Sequence, residues 1–428
     1  MLIKELHNYF LSSTGISTDS RTVEAGNLFF ALKGDHFDGN EYACKAIEKG
    51  ANYAIVDDYS CIQDEKYFLV DDVLDCLQRL SFYHRAQFDI PVIALTGSNG
   101  KTTTKELINA VLSTKYKTLA TRGNLNNHIG VPLTLLSITK DTEIAIIEMG
   151  ANHPGEIALL CEISCPDFGL VTNIGKAHIG EFGGFENVVK AKSELYDYLI
   201  KRSGSIWVNS GNELLSECTK KIPDILYYPG KNDYYPCEFI SADPFLRVKD
   251  SNGDEIKTNL VGKYNFENVA AALAVGKYFG VDSSKAKKAI EDYTPLNNRS
   301  QVVEKESNTI IMDAYNANPD SMISALESFL LADRGKGEKL AILGDMLELG
   351  DVEIEEHEKI GSYTYENNIP VIFCGKRMEK AHKKNPDSQY FLTTDDVGTY
   401  FSRNKPSDKL ILLKGSRAMK MENLLDFL

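Results

Sequence analysis

Thr96-Gly-Ser-Asn-Gly-Lys-Thr-Thr-Thr104 is the stretch on which the fold turns. It follows Val92-Ile-Ala-Leu-Thr96, a run that suits a strand buried on both faces, and it opens the helical stretch Thr102–Leu112. A Gly-rich turn between a strand and a helix is the context in which a phosphate-binding loop is credible. Gly97 and Gly100 let the backbone turn tightly, so that backbone amides can face phosphate oxygens. Lys101 can reach the β and γ phosphates as a point charge, and the Thr102 hydroxyl can ligate Mg²⁺. The helix N-terminus adds its own positive field. The common spacing GxxxxGK[ST] would put Gly at 95, where this chain has Leu95, so the loop is a shortened variant. A plain Gly-rich turn would have no need of Lys-Thr at a helix start.

Outward from this loop, strands alternate with helices, the pattern of a parallel sheet with crossover helices. Glu143–Glu148, Phe168–Thr172 and Ser205–Val208 read as strands, and Phe185–Ile200 and Asn265–Phe279 as helices. Before the loop, Leu28-Phe-Phe-Ala-Leu32 and Tyr53-Ala-Ile-Val56 flank a helical pattern with Ala43, Ala46 and Ile47 inward, a small mixed α/β unit. The pattern breaks at Tyr293-Thr-Pro-Leu-Asn297 and restarts. Thr309–Asp313, Lys339–Leu343, Pro370–Phe373 and Lys409–Leu413 read as strands, with helices at Ser321–Leu331, Ile354–Asn367 and Met419–Leu428. The expected fold class is α/β in three domains. These are a small mixed N-terminal domain over 1–88, a central parallel-sheet domain with the phosphate loop over 89–293, and a C-terminal Rossmann-like α/β domain over 294–428.

Composition agrees with 428 residues folded as several domains. Hydrophobic residues at 43% and charged residues at 25% exclude a fibrous or wholly disordered chain. The formal charge of −14, without a basic tract, argues against nucleic acid held by general electrostatics. An anionic ligand then needs local devices such as a helix N-terminus or a metal ion. The eight Cys are scattered with no CxxC, which suits a reducing compartment rather than a disulfide framework or zinc ribbon. The N-terminus carries Glu5 and polar residues where a signal peptide needs an apolar core, and no apolar run approaches the roughly 20 residues of a membrane span. A soluble cytoplasmic protein is expected.

The loop GSNGKTTTK, followed by Gly123-Asn-Leu-Asn-Asn-His-Ile-Gly-Val-Pro-Leu-Thr134, resembles the Mur ligase family of ATP-dependent enzymes that build the peptide stem of bacterial peptidoglycan. Further stretches match in order: Asp19-Ser-Arg21, Phe29-Phe-Ala-Leu-Lys-Gly34, Glu148-Met-Gly-Ala-Asn-His-Pro-Gly-Glu156 and Asn173-Ile-Gly-Lys-Ala-His-Ile-Gly180. They continue with Ala191-Lys-Ser-Glu-Leu195, Gly262-Lys-Tyr-Asn-Phe-Glu-Asn268, Asp313-Ala-Tyr-Asn-Ala-Asn-Pro319 and Lys414-Gly-Ser-Arg417. GNLNNHIGVPLT and DAYNANP point to the branch that joins D-alanyl-D-alanine to UDP-N-acetylmuramoyl-tripeptide. The DNPR-type motif of the branch that adds the third residue is absent.

The resemblance implies roles residue by residue. Gly97, Ser98, Asn99, Gly100, Lys101, Thr102 and Thr103 would cradle ATP, with Asn268 beside adenine, Asp313 on the ribose and Arg299 on the phosphates. Thr102, Glu148, His178 and Lys192 would hold Mg²⁺, with His178 at a second ion beside the acyl phosphate and Lys192 carrying a carbamate formed from CO₂. Lys101, His178 and Lys192 would be catalytic. Ser20 and Arg21 would meet the uridine diphosphate, and Asn126 and Asn127 would face the uridine-linked substrate or support the loop that does. Asn316, Asn318, Lys414 and Arg417 would lie on the peptide side.

Read without the resemblance, several of these residues have plain alternatives. Glu148 at a strand end is a solvated carboxylate, His178 a surface loop residue, Lys192 a solvated helix face, and Arg21 half of a salt bridge. Asn268, Asp313 and Asn318 are caps or turn residues. His357, in a charged helix, is left as a surface or interface residue. The expected protein is a monomeric amide ligase. Its rivals are a ligase for a different amino acid, a nucleotide-binding regulatory protein without ligase activity, and a simple kinase or NTPase.

Overall fold

The computed structural model describes residues 2–220, 222–296, 298–332 and 338–428. Asn297 of the expected junction lies outside the described residues. The backbone forms two compact units: Met1–Ala94 with Lys117–Gly150 and Ala158–Phe168, and Leu95–Tyr116 with Ala151–Ile157 and Gly169–Leu428.

In the first unit, strands Ile16–Ser17, Leu28–Phe30, Tyr53–Val56 and Tyr67–Leu69 lie side by side and parallel. The strand period of two splits the core. Leu28, Phe30 and Ile55 pack with Leu6, Leu77 and Leu80 of the helices Ile3–Leu11 and Val73–Arg85. Phe29, Ala54 and Val56 face the other way, onto Ala43 and Ala46. Burial on both faces is what a parallel sheet requires.

The central sheet has the order Leu226–Tyr228, Ser205–Asn209, Phe168–Val171, Val92–Thr96, Ile144–Glu148, Thr118–Ala120. Every residue of Val92–Thr96 and of Ile144–Glu148 is buried, and the helix Lys101–Leu112 follows the phosphate loop as the pattern predicted. A three-stranded antiparallel sheet, Glu238–Ala242, Phe245–Lys249 and Glu255–Val261, was not anticipated. Its signal is modest: an Asn252-Gly253 turn, with Gly253 at φ +89°, between strands of alternating exposure.

The last sheet runs Gln301–Lys305, Asn308–Asp313, Lys409–Lys414, Glu338–Gly344, Val371–Cys374, Gln389–Phe391. The first pair is antiparallel and the rest are parallel. Helices Pro319–Leu331 and Glu353–Glu366 bury Leu326, Phe329 and Ile360 on one face. Helix Thr394–Phe401 buries Val397 and Phe401 on the other. The helix expected over Met419–Leu428 is instead a pair of 3₁₀ turns, Arg417–Met419 and Met421–Phe427. Lys420 between them has φ +49°, which an α-helix cannot contain. No described helix is long and apolar enough to cross a membrane.

Candidate functional site

The second unit holds the phosphate loop. Gly97 (φ +143°) and Gly100 (φ +79°) have backbones that side chains rarely adopt, and added Cβ atoms would meet Thr172 Oγ1 at 2.0 Å and Asn268 Oδ1 at 2.5 Å. The loop is tied to the following strand end. Ser98 N–H donates to Asn173 O at 2.9 Å and Asn99 N–H to Asn173 Oδ1 at 2.9 Å. Gly175 N–H donates to Ser98 Oγ at 2.9 Å. The Lys101 ammonium folds back onto the carbonyls of Gly97 (2.8 Å) and Ser98 (3.1 Å), so it stands over the loop that it would share with a phosphate chain.

Asn268 lies beneath the loop. Its Oδ1 accepts from Thr104 Oγ1 at 2.9 Å and its Nδ2 donates to Asn265 Oδ1 at 2.9 Å. Both ends of the amide are thus engaged in bracing the helix start.

Lys192 differs most from a solvated helix face: it is only 2% exposed. Its Nζ donates to Ala151 O at 3.2 Å and lies 5.2 Å from the centre of the Phe182 ring. Burial, then the nearby charge of Lys101, pull its pKa down to about 7, while Glu156 and Glu194 oppose the shift. A lysine so placed is neutral for much of its time near pH 7, and a neutral amine is a nucleophile.

His178, at φ +54°, precedes the short helix Ile179–Phe182. Its Nδ1 lies 2.6 Å from Glu348 Oε2 and 3.3 Å from Glu181 Oε2. The donor atoms of these three residues lie within 4.8 Å of one another, near enough to share one cation.

The same unit joins the loop region to the last sheet. Asn318 Nδ2 donates to Asn99 Oδ1 at 2.7 Å, Asp320 Oδ2 accepts from Lys176 N–H at 2.6 Å, and Lys176 Nζ pairs with Glu356 Oε1 at 2.9 Å. Lys176, Asp320, Glu348 and Glu356 were not singled out from sequence. Single charged residues on separate segments carry no local signal of what they will meet.

Around the end of strand Asn308–Asp313, roles expected to be separate come together. Asp313 Oδ2 pairs with Lys414 Nζ at 2.6 Å, and Lys414 is its register neighbour on the next strand. Lys414 is buried and so faces Asp313 rather than solvent. The guanidinium of Arg299 lies 3.5 Å from the centre of the Tyr315 ring and that of Arg417 lies 5.0 Å from it. Tyr315 therefore links two arginines expected to serve different substrates. Asn316 is exposed and turns its Oδ1 to the N–H of Ala317.

His357 corrects its reading as a surface or interface residue: it is fully buried. Its Nδ1 pairs with Glu353 O at 2.7 Å, its Nε2 accepts from Met346 N–H at 3.2 Å, and burial lowers its pKa. The charged residues around it in sequence cover the other faces of its helix.

In the first unit, Glu148 is 1% exposed, not solvated. Its Oε1 accepts from Asn126 Nδ2 at 2.8 Å, so Asn126 orients that carboxylate. Asn127 Oδ1 accepts from the N–H groups of Ile129 (3.1 Å) and Gly130 (2.9 Å), a turn cap. Ser20 is buried, whereas the Arg21 side chain is 84% exposed and grips Asp19 with two nitrogens. That grip holds the Asp19 carboxyl down to about 2. Glu148 here and Thr102 in the second unit are each buried oxygen donors, the ligand class Mg²⁺ takes.

Comparison with known proteins agrees with this chemistry. Residues 12–79 match a model described as the Mur ligase family, catalytic domain. Residues 95–276 match the Mur ligase middle domain, and 298–417 the Mur ligase, glutamate ligase domain. A UDP-N-acetylmuramoyl-tripeptide–D-alanyl-D-alanine ligase of Bacillus subtilis is 35% identical over 96% of this chain and 92% of its own length. The enzyme of the same name from Escherichia coli is 30% identical over 98% and 94%. A crystal structure of MurF from Acinetobacter baumannii superposes with a TM-score of 0.89 at 32% identity, covering 99% of this chain and 97% of that one. MurF ligase from Thermotoga maritima in complex with ADP gives 0.84 at 27% identity, covering 98% and 97%. A phosphate loop in an α/β sheet, followed by a second α/β sheet whose residues reach back to it, is thus matched along nearly the whole length, and the chain belongs to the Mur ligase family.

Proposed function

We propose that the chain joins D-alanyl-D-alanine to UDP-N-acetylmuramoyl-tripeptide at the expense of ATP, in peptidoglycan precursor synthesis. The observation that carries the ligase reading is Lys192, a lysine buried on its helix rather than solvated, where burial and the Lys101 charge disfavour its ammonium form. A bare NTPase has no use for such a group.

In the proposed reaction a carboxylate oxygen of the tripeptide attacks the γ phosphorus of ATP, and ADP leaves. The acyl phosphate so formed has a good leaving group where the carboxylate had none. The neutral amine of D-alanyl-D-alanine attacks the acyl carbon, phosphate departs with the bonding pair, and the proton released from nitrogen passes to solvent. Lys101 and the loop amides orient the phosphates and offset the charge that develops on them. Thr102, Glu148, His178 and Lys192 are the residues assigned to Mg²⁺, which when bound would neutralise phosphate charge. Asn126 holds Glu148 in one orientation for that role. The neutral Lys192 amine adds to CO₂; a C–N bond forms, a proton passes to solvent, and a cation becomes an oxygen anion suited to a hard metal.

Arg299 and Asp313 are assigned to ATP from the C-terminal side, with Asn268 bracing the loop near the base. Ser20, Arg21 and Asn127 are assigned to the uridine-linked substrate, and Asn316, Lys414 and Arg417 to the peptide side, Lys414 acting through Asp313. The three domains are assigned to 1–88, 89–293 and 294–428. The protein works in the cytoplasm as a monomer.

Phosphate release measured with ATP, UDP-N-acetylmuramoyl-tripeptide and D-alanyl-D-alanine together, then with each omitted, tests the reading. Release that needs all three supports it. Release without the acceptor would make the protein an NTPase, and release with a single amino acid in place of the dipeptide would move it to another branch.

A further inference from the structure

Tyr315 collects two cations on one ring. The guanidinium of Arg299 stacks 3.5 Å from the ring centre, which is van der Waals contact, and that of Arg417 stands at 5.0 Å. The two come from different segments. Arg299 precedes strand Gln301–Lys305, and Arg417 opens the 3₁₀ turn after strand Lys409–Lys414. Each segment is held in place. Asn298 and Ser300, on either side of Arg299, have φ of +58° and +50°. Asn298 O accepts from Ala314 N–H at 2.9 Å, and Ser300 Oγ lies 2.7 Å from the Tyr264 hydroxyl. Ser416, just before Arg417, donates its N–H to Asp345 O at 3.0 Å and accepts from Leu347 N–H on Oγ at 3.0 Å.

Folding alone does not ask for this arrangement. Two guanidiniums on one ring repel each other, and left-handed non-glycine residues on both sides of Arg299 cost stability. The carboxylate of the same strand end, Asp313, is taken by Lys414 at 2.6 Å. Among the described residues neither guanidinium is paired with a carboxylate. Three cations thus gather around one carboxylate at the C-terminal ends of parallel strands, where α/β sheets take their ligands. An anion completes such a cluster. Its class follows from its place: Asn318, in the same segment as Tyr315, donates to Asn99 Oδ1 of the phosphate loop at 2.7 Å. A phosphoryl group carries three oxygens, each able to accept from a guanidinium fork at about 2.8 Å, so one phosphoryl can meet two arginines at once.

We propose that Tyr315 is a positioning residue, holding Arg299 and Arg417 so that both face the phosphoryl group in transfer. Arg299 meets that group on ATP, and Arg417 meets it on the carboxyl that receives it. As the bond from carboxylate oxygen to phosphorus forms and the bond to the ADP oxygen breaks, both arginines offset the charge and neither gives up a proton. The inference rests on the ligase reading above and deepens it: Arg417 serves the peptide side through the phosphoryl placed there. Planar guanidiniums suit this task, because their faces lie on the ring while their N–H edges stay free for oxygen.

Calorimetry on the full-length protein with ADP and with AMP-PNP, a triphosphate analogue that resists cleavage, tests this. Tyr315→Leu should weaken AMP-PNP by about 5–30-fold and ADP by less than about 2-fold, since only the analogue carries a γ phosphoryl. Tyr315→Phe, which keeps the ring face, should recover most of the loss. Arg417 is exposed, so Arg417→Ala tests the same selectivity with the packed ring left in place. In turnover, Tyr315→Leu and Arg417→Ala should each lower kcat, and the double variant should lose well short of the product of the two effects. Equal weakening of ADP and AMP-PNP, a Phe variant as impaired as the Leu variant, or fully multiplicative kcat losses would overturn the proposal. Absence of three-substrate turnover in the wild type would overturn the ligase reading instead, and the calorimetry would still decide the role of Tyr315.

Discussion

At the residue scale, the two loop glycines combine a left-handed or strained backbone with a crowded Cβ position. Gly97→Ala combines a strained φ with a Cβ 2.0 Å from Thr172 Oγ1, and the neighbour is a β-branched side chain in the strand-end turn with little room to move. Nucleotide affinity, measured by calorimetry with ADP, should fall by about 5–150-fold, since about 1–3 kcal/mol of strain enters the loop itself. Lys192→Ala should abolish turnover while ADP still binds, and the intact wild-type mass should exceed the sequence mass by one CO₂ under bicarbonate. Full activity in Lys192→Ala would remove it from the site.

A second residue-scale feature lies in the first unit. His84 Nε2 pairs with Ile138 O at 2.9 Å, so it must carry a proton, and His84 Nδ1 then accepts from His7 Nε2 at 2.9 Å. Burial lowers both pKa values, with the His84 charge a further cause at His7. A depressed histidine contributes stability above its unfolded pKa of about 6.5 and loses it as pH falls through the folded value. The thermal midpoint of the first unit should therefore fall as pH drops below about 6.5, and the fall should be shallower in His84→Asn. Equal slopes would show the pair to be uninvolved.

At the element scale, the helix Pro319–Leu331 is both capped and connected. Asn318 Oδ1 accepts from Ser321 N–H at 2.9 Å, while Asn318 Nδ2 reaches Asn99 of the phosphate loop. Serine caps helices as well as asparagine but is too short to reach Asn99. Asn318→Ser should keep the unfolding midpoint while raising KM for ATP several-fold; Asn318→Ala should also cost about 1 kcal/mol of stability. The helix Glu353–Glu366 teaches a different lesson. His357→Ala would leave Met346 N–H buried without an acceptor, a loss of about 1–3 kcal/mol readable by chemical denaturation.

These elements also show how far sequence reading reaches. Val92–Thr96, Tyr53–Val56 and the helix from Phe185 were legible because buried parallel strands and amphipathic helices announce themselves by local periodicity. The phosphate loop was legible because its two glycines and Lys-Thr are adjacent. The small antiparallel sheet was missed because its half-exposed strands carry little apolar signal. Met419–Leu428 was misread because buried Met421, Leu424 and Leu428 also fit a helical period, and nothing local marks Lys420 as left-handed.

At the scale of the whole molecule, the last sheet is more than a platform. Its loops and helices meet the phosphate-loop region through Asn318, Asp320, Glu348 and Glu356. Its own integrity depends on the pair Asp313–Lys414 between adjacent strands. Lys414→Ala would strand a largely buried carboxylate, at a cost of about 3 kcal/mol. The double variant Lys414→Met with Asp313→Leu should be markedly more stable than Lys414→Ala, yet inactive if Asp313 serves ATP. Thermal unfolding together with phosphate release separates the two effects.

What the sequence determined by itself was whatever depends on neighbours along the chain. The strand–turn–helix of the phosphate loop, the alternation that makes an α/β protein, and the ordered motifs of the family all follow from torsional preference and local spacing. The tertiary structure alone decided protonation and partnership. Lys192 was pulled down toward pH 7, Lys414 took Asp313, His357 went inside, and His178 found Glu348. The reason is that burial and electrostatic pairing depend on distance through space. Residues 101 and 170 positions apart, as Asp313–Lys414 and His178–Glu348 are, become neighbours only when the sheets have formed.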